Sequence, residues 1–285
     1  MKNFMKMLKA QWALGKFVCV GLDPDETKLP AHIRDEQKLL SDKIINFNRD
    51  IVDATKDLVC AFKPNSAFYE QYGVPGLVAL EQTILHIKAV APDVPVILDA
   101  KRADIGNTND GYVKSAFDYF KADAITVHPY LGSEAMKPFL DRKDKGIIVL
   151  CRTSNKGAGE FQDFGNAFHH LYQEVAESVA QKWNYNGNCL LVVGATYPGE
   201  LSTIRKIVGD MPILIPGIGA QGGDLEKSLG AGFDAHKEGI IINSSRGIIY
   251  ASSGEDFAEA ARRETEKLSG QIVDFRELIL QGERA

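Results

Sequence analysis

Residues 98–108, LDAKRADIGNT, put Asp99, Lys101 and Asp104 at the end of an otherwise apolar run. Along an extended strand side chains alternate, so Asp99 and Lys101 share one face while Arg102 turns to the other and reads as structural. Asp104 lies beyond the strand, in the loop. Charges at the end of an apolar strand are costly unless they neutralise each other. A pair about 4 Å apart gains roughly 4 kcal/mol at an effective dielectric near ~20, so alternating signs can persist there. The chemistry such a row offers is that of lysine and aspartate working together, without a metal; a structural salt-bridge network at a rim is the plainer alternative. Lys63, in FKPN, is a second cation at a strand end and a candidate partner of these carboxylates. Asp23, before Pro24, adds another carboxylate, or serves as a turn or capping residue.

A second segment, IPGIGAQGGD at 215–224, suits an anion. Glycines let backbone N–H groups approach closely, and a following helix N-terminus favours negative charge. Gly217, Gly219 and Gly222 formally satisfy G-x-G-x-x-G, but the match falls late in the chain. The next strand ends Asn243–Ser244–Ser245, without the acid that a dinucleotide's ribose requires. Phosphate fits better, since Arg246 follows that strand directly with a permanent cation and a bidentate donor.

Other chemistry is weakly signalled. The six histidines include the pair His169–His170 but no metal-ligand spacing, and His128 reads as a hydrogen-bonded barrel histidine that could line the pocket. Nucleophile-elbow and P-loop motifs are absent. Cys19, Cys60, Cys151 and Cys189 lie in apolar runs without C-x-x-C spacing, as small buried hydrophobes in a reducing compartment would.

The elements that must hold these groups recur along the chain. Eight short apolar runs, often β-branched, fall at 17–23, 58–65, 94–102, 124–129, 146–154, 190–196, 213–220 and 239–245. Helix-compatible stretches lie between them, including 74–88, 167–182 and 256–269. Near-continuous apolar strands imply a parallel sheet covered on both faces. Eight alternating units match a closed (β/α)8 TIM barrel, with a doubly wound open sheet as runner-up, since the pattern alone does not close a ring. The polar strand ends Asp23, Lys63, Asp99, Lys101, His128, Ser154, Thr196, Gln221 and Arg246 would then converge on one mouth. The segment at 157–165 is long for a connection and reads as a lid or as ordinary loop variation. No linker or composition break divides the chain, so 1–285 is expected to be a single domain. At its start, lysines spread among Phe4, Met7, Leu8 and Trp12 predict a short amphipathic helix closing one end, not an export signal. A net charge of −5 argues against a nucleic-acid-binding surface, and no apolar run reaches membrane-spanning length. A cytoplasmic location is expected.

With these residues in hand, nearly the whole chain resembles the orotidine 5′-phosphate decarboxylase family, in its longer-chain branch. The resemblance rests on D-x-K-x-x-D at Asp99, Lys101 and Asp104 followed by Ile105 and Thr108, on GAQGGD at 219–224, on the arginine after the last strand, and on Lys63. It implies a metal- and cofactor-free decarboxylation of orotidine 5′-monophosphate to uridine 5′-monophosphate, the last step of de novo pyrimidine nucleotide synthesis. In that reading Lys101 donates the proton to pyrimidine carbon six, Asp99 sits near the departing carboxylate, and Lys63 and Asp104 complete the charge network. The resemblance further assigns Asp23 to the ribose, Ser154 to the pyrimidine and Gln221 with Arg246 to the phosphate, and adds Pro198 and Gly222 to the substrate contacts. It implies a homodimer in which Asp104, Ile105 and Thr108 serve the neighbouring subunit's site. The CRTSN surroundings of Ser154 and the long segment after it depart from the family pattern, which leaves the pyrimidine contacts the least defined. Two alternatives stand beside this one: a magnesium-dependent sugar-phosphate lyase or decarboxylase of the same superfamily, which would carry an acidic metal ligand where Lys63 stands, and a non-catalytic nucleotide-binding barrel.

Overall fold

Eight buried parallel strands close a ring in the computed structural model, which describes residues 3–218 and 223–282. They are β1 (Val18–Leu22), β2 (Ala61–Pro64), β3 (Ile97–Arg102), β4 (Ala124–Val127), β5 (Gly146–Arg152), β6 (Cys189–Val193), β7 (Ile213–Pro216) and β8 (Ile240–Ser244). The pairing runs β2–β1–β8–β7–β6–β5–β4–β3. The remaining seam, β2 against β3, is held by parallel bridges Phe62↔Val96 and Asn65↔Asp99 and by Ser66 N–H donating to Asp99 O at 3.2 Å. The fold is therefore the TIM barrel, and the open sheet is excluded by that seam. All eight predicted strands are present, because runs such as VCVGL and GIIVLCR are apolar on both faces and are covered inside by one another and outside by helices.

The helix Phe4–Ala13 lies under the barrel, as its apolar spacing predicts. Its Asn3 cap accepts Lys6 N–H, Phe4 packs against Gly146 at the entry of β5, and Trp12 Nε1 donates to Ile240 O at 2.9 Å at the entry of β8. Floor and mouth are thus on opposite ends. The predicted helix at 74–88 spans Val74–Val90, and that at 256–269 extends over Phe257–Gly282.

The stretch 167–182 differs from expectation. Its helix begins at Leu171 and runs to Ser178 before a π-turn at Val179–Trp183. Ahead of it, Gly165–Asn166 pairs antiparallel with His169–His170. The cause is local: Asn166 Oδ1 accepts the N–H groups of Phe168 and His169, a side-chain turn that outcompetes helix initiation. Gly165, at φ 153°, leaves room for His169 O, which a Cβ would approach to 2.1 Å.

Candidate active site

The C-terminal strand ends carry the predicted charges to one mouth, and three strands build its centre. Lys63 on β2 and Asp99 and Lys101 on β3 form a continuous row: Lys63 Nζ lies 3.0 Å from Asp99 Oδ2, and Lys101 Nζ lies 2.7 Å from Asp99 Oδ1. Lys63 is 3% exposed and Asp99 7%, whereas the Lys101 side chain is open towards the mouth. Burial alone pushes the Asp99 carboxyl up, but Lys63 and Lys101, with hydrogen bonds from Lys101 and Thr126, outweigh it and hold the group well below the usual carboxylate range. Lys63 shows the converse balance. Desolvation lowers it, Asp99 and Asp23 raise it further, and it remains charged beyond the ordinary lysine range.

Alternation along β3 is not regular. The β3–β4 register passes from Leu98↔Ile125 to Arg102↔Val127, so Asp99, Ala100 and Lys101 stand opposite the single residue Thr126. This is a bulge, and Lys101 within it adopts φ 46°. Thr126 Oγ1 accepts Lys101 N–H at 2.9 Å and donates to Asp99 Oδ1 at 2.7 Å. Arg102 turns outward, as predicted, to pair with Glu70 and lie over Tyr112 at 5.2 Å.

Beyond β3, Asp104 forms no ion pair among the described residues. Its Oδ1 accepts Ile105 N–H at 2.7 Å, and buried Asn109 secures the loop by accepting Asp104 N–H and donating to Asp104 O. Within one chain the alternating network is therefore Lys63–Asp99–Lys101, and the expected role of Asp104 in a neighbouring subunit's site lies beyond the single chain. Ile105 and Thr108 are exposed beside it. His128 is also exposed at the end of β4, and its ring makes no hydrogen bond among the described residues, contrary to expectation. Partial desolvation and the neighbouring Lys101 both disfavour its protonation.

Across the mouth, Asp23 Oδ2 accepts from Ser245 Oγ at 2.6 Å, while Asp23 Oδ1 is buried with no partner among the described residues. Thr196 Oγ1 and Asn243 Oδ1 are in the same position. Ser245 can reach Asp23 only over a glycine: a Cβ on Gly21 would lie 1.7 Å from Ser245 Oγ. Ser154, after β5, packs closely on Gly194 after β6, where a Cβ would meet its own Cβ at 2.6 Å. Pro198 opens the helix Pro198–Val208. The glycine turn begins at Gly217, φ 99°, and Gly223 N–H donates back to Gly217 O at 3.2 Å. Gln221 and Gly222 lie outside the described residues. Arg246 opens the short helix Arg246–Ile249, is exposed, and forms no ion pair among the described residues.

Sequence reasoning missed Thr126, an unremarked hydroxyl inside the strand AITVHP. It also missed Arg152, which is 2% exposed. The Arg152 guanidinium stacks over Tyr197 at 3.8 Å and pairs with Asp163 at 3.1 Å, tying the segment after β5 to the end of β6. Among the described residues one cluster has metal-ligand atoms close together, His169 with Glu174 and Glu177 on the helix after β5. It contains no residue from the end of a barrel strand, and the two ring nitrogens face different carboxylates, at 3.3 and 4.0 Å. The four cysteines are free and buried, as expected.

Fold and site together define a β/α-barrel protein with a lysine–aspartate centre at its mouth. Residues 16–263 match the family described as Orotidine 5'-phosphate decarboxylase / HUMPS, and the chain belongs to that family. Curated relatives named orotidine 5′-phosphate decarboxylase include one from Aromatoleum aromaticum, 50% identical over 92% of this chain and 95% of its own. Another, from Ralstonia pickettii, is 50% identical over 96% and 99%. The solved structure of Leishmania donovani OMP decarboxylase superposes with a TM-score of 0.84 at 36% identity, covering 96% of this chain and 99% of that one. The orotidine 5′-monophosphate decarboxylase of Methanocaldococcus jannaschii, solved with the inhibitor BMP, gives 0.64 at 25% identity over 89% and 98%.

Proposed function

We propose that the chain decarboxylates orotidine 5′-monophosphate to uridine 5′-monophosphate, without metal or cofactor, with Lys101 as proton donor. The observation that carries this is the Lys63–Asp99–Lys101 row, buried at Lys63 and Asp99 and open at Lys101, at the mouth of a barrel whose family and relatives bear that activity's name. When carbon dioxide leaves, the pair of the broken C–C bond stays on pyrimidine carbon six. The Lys101 ammonium, held against Asp99, stabilises that charge and then transfers its proton to carbon six; solvent reprotonates the amine. Asp99 faces the departing carboxylate, and Lys63 keeps Asp99 ionised.

The rest of the mouth supports binding. Asp23 Oδ1, buried and unpartnered among the described residues, can accept from a ribose hydroxyl. Ser154 takes the pyrimidine, with Pro198 beside it, and Arg246, exposed after β8, takes the phosphate with Gln221 and Gly222. Loops after the seventh and eighth strands are the usual phosphate site of this fold. Binding energy from the remote phosphate is realised at the reacting carbon. Asp104, Ile105 and Thr108 serve a second subunit's site in a homodimer; Ile105, Tyr130 and Leu131 give the loops after β3 and β4 an exposed apolar surface suited to that contact. Among the described residues no helix is long and apolar enough to cross a membrane, and the enzyme's expected place is the cytoplasm.

The test is the ultraviolet absorbance change of orotidine monophosphate incubated with purified protein, with and without EDTA. Turnover unaffected by the chelator is expected. Activity lost in EDTA and restored by magnesium would favour the metal-dependent lyase, and folded protein without turnover would favour a nucleotide binder.

A further inference from the structure

We infer that Thr126 is a positioning residue of the reaction, fixing Lys101 and Asp99 relative to each other through one buried hydroxyl. The inference rests on the proposed role of Lys101 and deepens it. A bulge removes backbone groups from the ladder, and here it takes the N–H of Lys101, the residue whose ammonium must be aimed. Lys101 also sits at φ 46°, a conformation that L-residues with long side chains adopt only when their surroundings impose it. Thr126 is the group that imposes it. Its hydroxyl is 1% exposed as part of the residue, accepts the Lys101 N–H at 2.9 Å, and spends its single proton on Asp99 Oδ1 at 2.7 Å. That same oxygen receives the Lys101 ammonium at 2.7 Å, while Lys63 holds the other at 3.0 Å.

Asp99 is thus gripped from three strands: Lys63 on β2, Lys101 on β3 and Thr126 on β4. Of these three groups, Thr126 reaches both ends of Lys101, its backbone N–H directly and its ammonium through their shared acceptor. A β-branched side chain is stiff at χ1, so the hydroxyl is delivered in one orientation. Without it the peptide N–H at the bulge loses its acceptor, and Asp99 can rotate about its remaining contacts with the two lysines. The row of charges would survive, but its alignment would not.

Thr126→Val keeps shape and removes the hydroxyl; Thr126→Ser keeps the hydroxyl. In steady-state decarboxylation of orotidine monophosphate, the valine variant should lose about 10²-fold in kcat, the scale of one misplaced electrostatic donor, with KM changed less than about threefold. The serine variant should recover kcat to within about tenfold of wild type. Binding of uridine monophosphate, measured by calorimetry, should persist in both. If the valine variant does not fold, Thr126→Ala removes the same hydroxyl with less demand on packing. A hydroxyl-free variant with kcat within about twofold of wild type overturns the inference, as does a serine variant no better than valine, which would make Thr126 a packing residue. Wild-type protein without decarboxylase activity would instead overturn the parent reading, and this inference with it.

Discussion

Lys101→Ala is expected to lower kcat by roughly 10⁴-fold or more, because one substitution removes both the proton donor and the cation nearest the developing carbanion. The fold should survive, since Asp99 keeps Lys63 at 3.0 Å and Thr126 at 2.7 Å and is not left uncompensated. Ligand binding should survive as well, because the groups proposed for the phosphate lie across the barrel on the loops after β7 and β8. Uridine monophosphate should therefore bind within about tenfold of the wild-type affinity, consistent with an interaction made mainly in the transition state. Single-turnover kinetics beside calorimetric titration makes the comparison. Turnover within about tenfold of wild type would remove Lys101 as the donor.

Asp99→Asn should have the largest effect on stability, about 3–5 kcal/mol, because it leaves the buried Lys63 ammonium without its hydrogen-bonded counter-charge, with only the more distant influence of Asp23. The pH dependence carries the sign. In the wild type, the Asp99 carboxyl lies below the usual carboxylate range, so its contribution is complete above an ordinary carboxylate's pKa and is lost only as pH falls through its depressed folded value. Lys63 is raised, so its contribution is complete below an ordinary lysine's pKa and is lost only as pH rises through its folded value. Between about pH 5 and pH 9 the wild-type pair is accordingly constant. In the variant, desolvation acts on Lys63 without its principal partner and depresses its folded pKa. A depressed amine gives up its proton in the fold, so the stability gap should narrow as pH rises from about 7 towards about 10. Urea denaturation at several pH values measures it. A gap under about 1 kcal/mol, the size of a surface pair, would contradict a buried ion pair here.

Much of this site is legible in the sequence because barrels convert strand ends into neighbours. Runs such as FVCVGLD and GIIINSS announce their strands, and the position of Lys63 at the end of one run and Asp99 at the end of the next suffices to nominate them as partners. What strand alternation conceals is the bulge. A regular strand would also put Asp99 and Lys101 on one face, but it would give Thr126 no special place; the two extra residues in β3 create both the positive φ and the unclaimed N–H that Thr126 answers. Arg152 is hidden for a related reason. Within GIIVLCR it reads as the polar close of a strand, and its stacking on Tyr197 depends on β5 pairing with β6 across an intervening helix and hairpin. The helix predicted from residue 167 starts late because Asn166 bonds to the backbone ahead of it, a competition that apolar spacing does not register. Asp104 is a different case. Its motif is plain, yet among the described residues of one subunit its carboxylate accepts only the Ile105 N–H, and a role in a second subunit's site is part of the proposal.

The most direct measurement is a crystal structure of the protein with uridine monophosphate or an unreactive analogue bound. The nucleotide should lie across the barrel mouth with pyrimidine carbon six about 3–3.5 Å from Lys101 Nζ. Its ribose should meet Asp23, its phosphate should sit on Arg246, and Asp104 of a second copy should complete the charge row. A nucleotide seated away from β3, or a phosphate held far from both Arg246 and the turn after β7, would contradict the account.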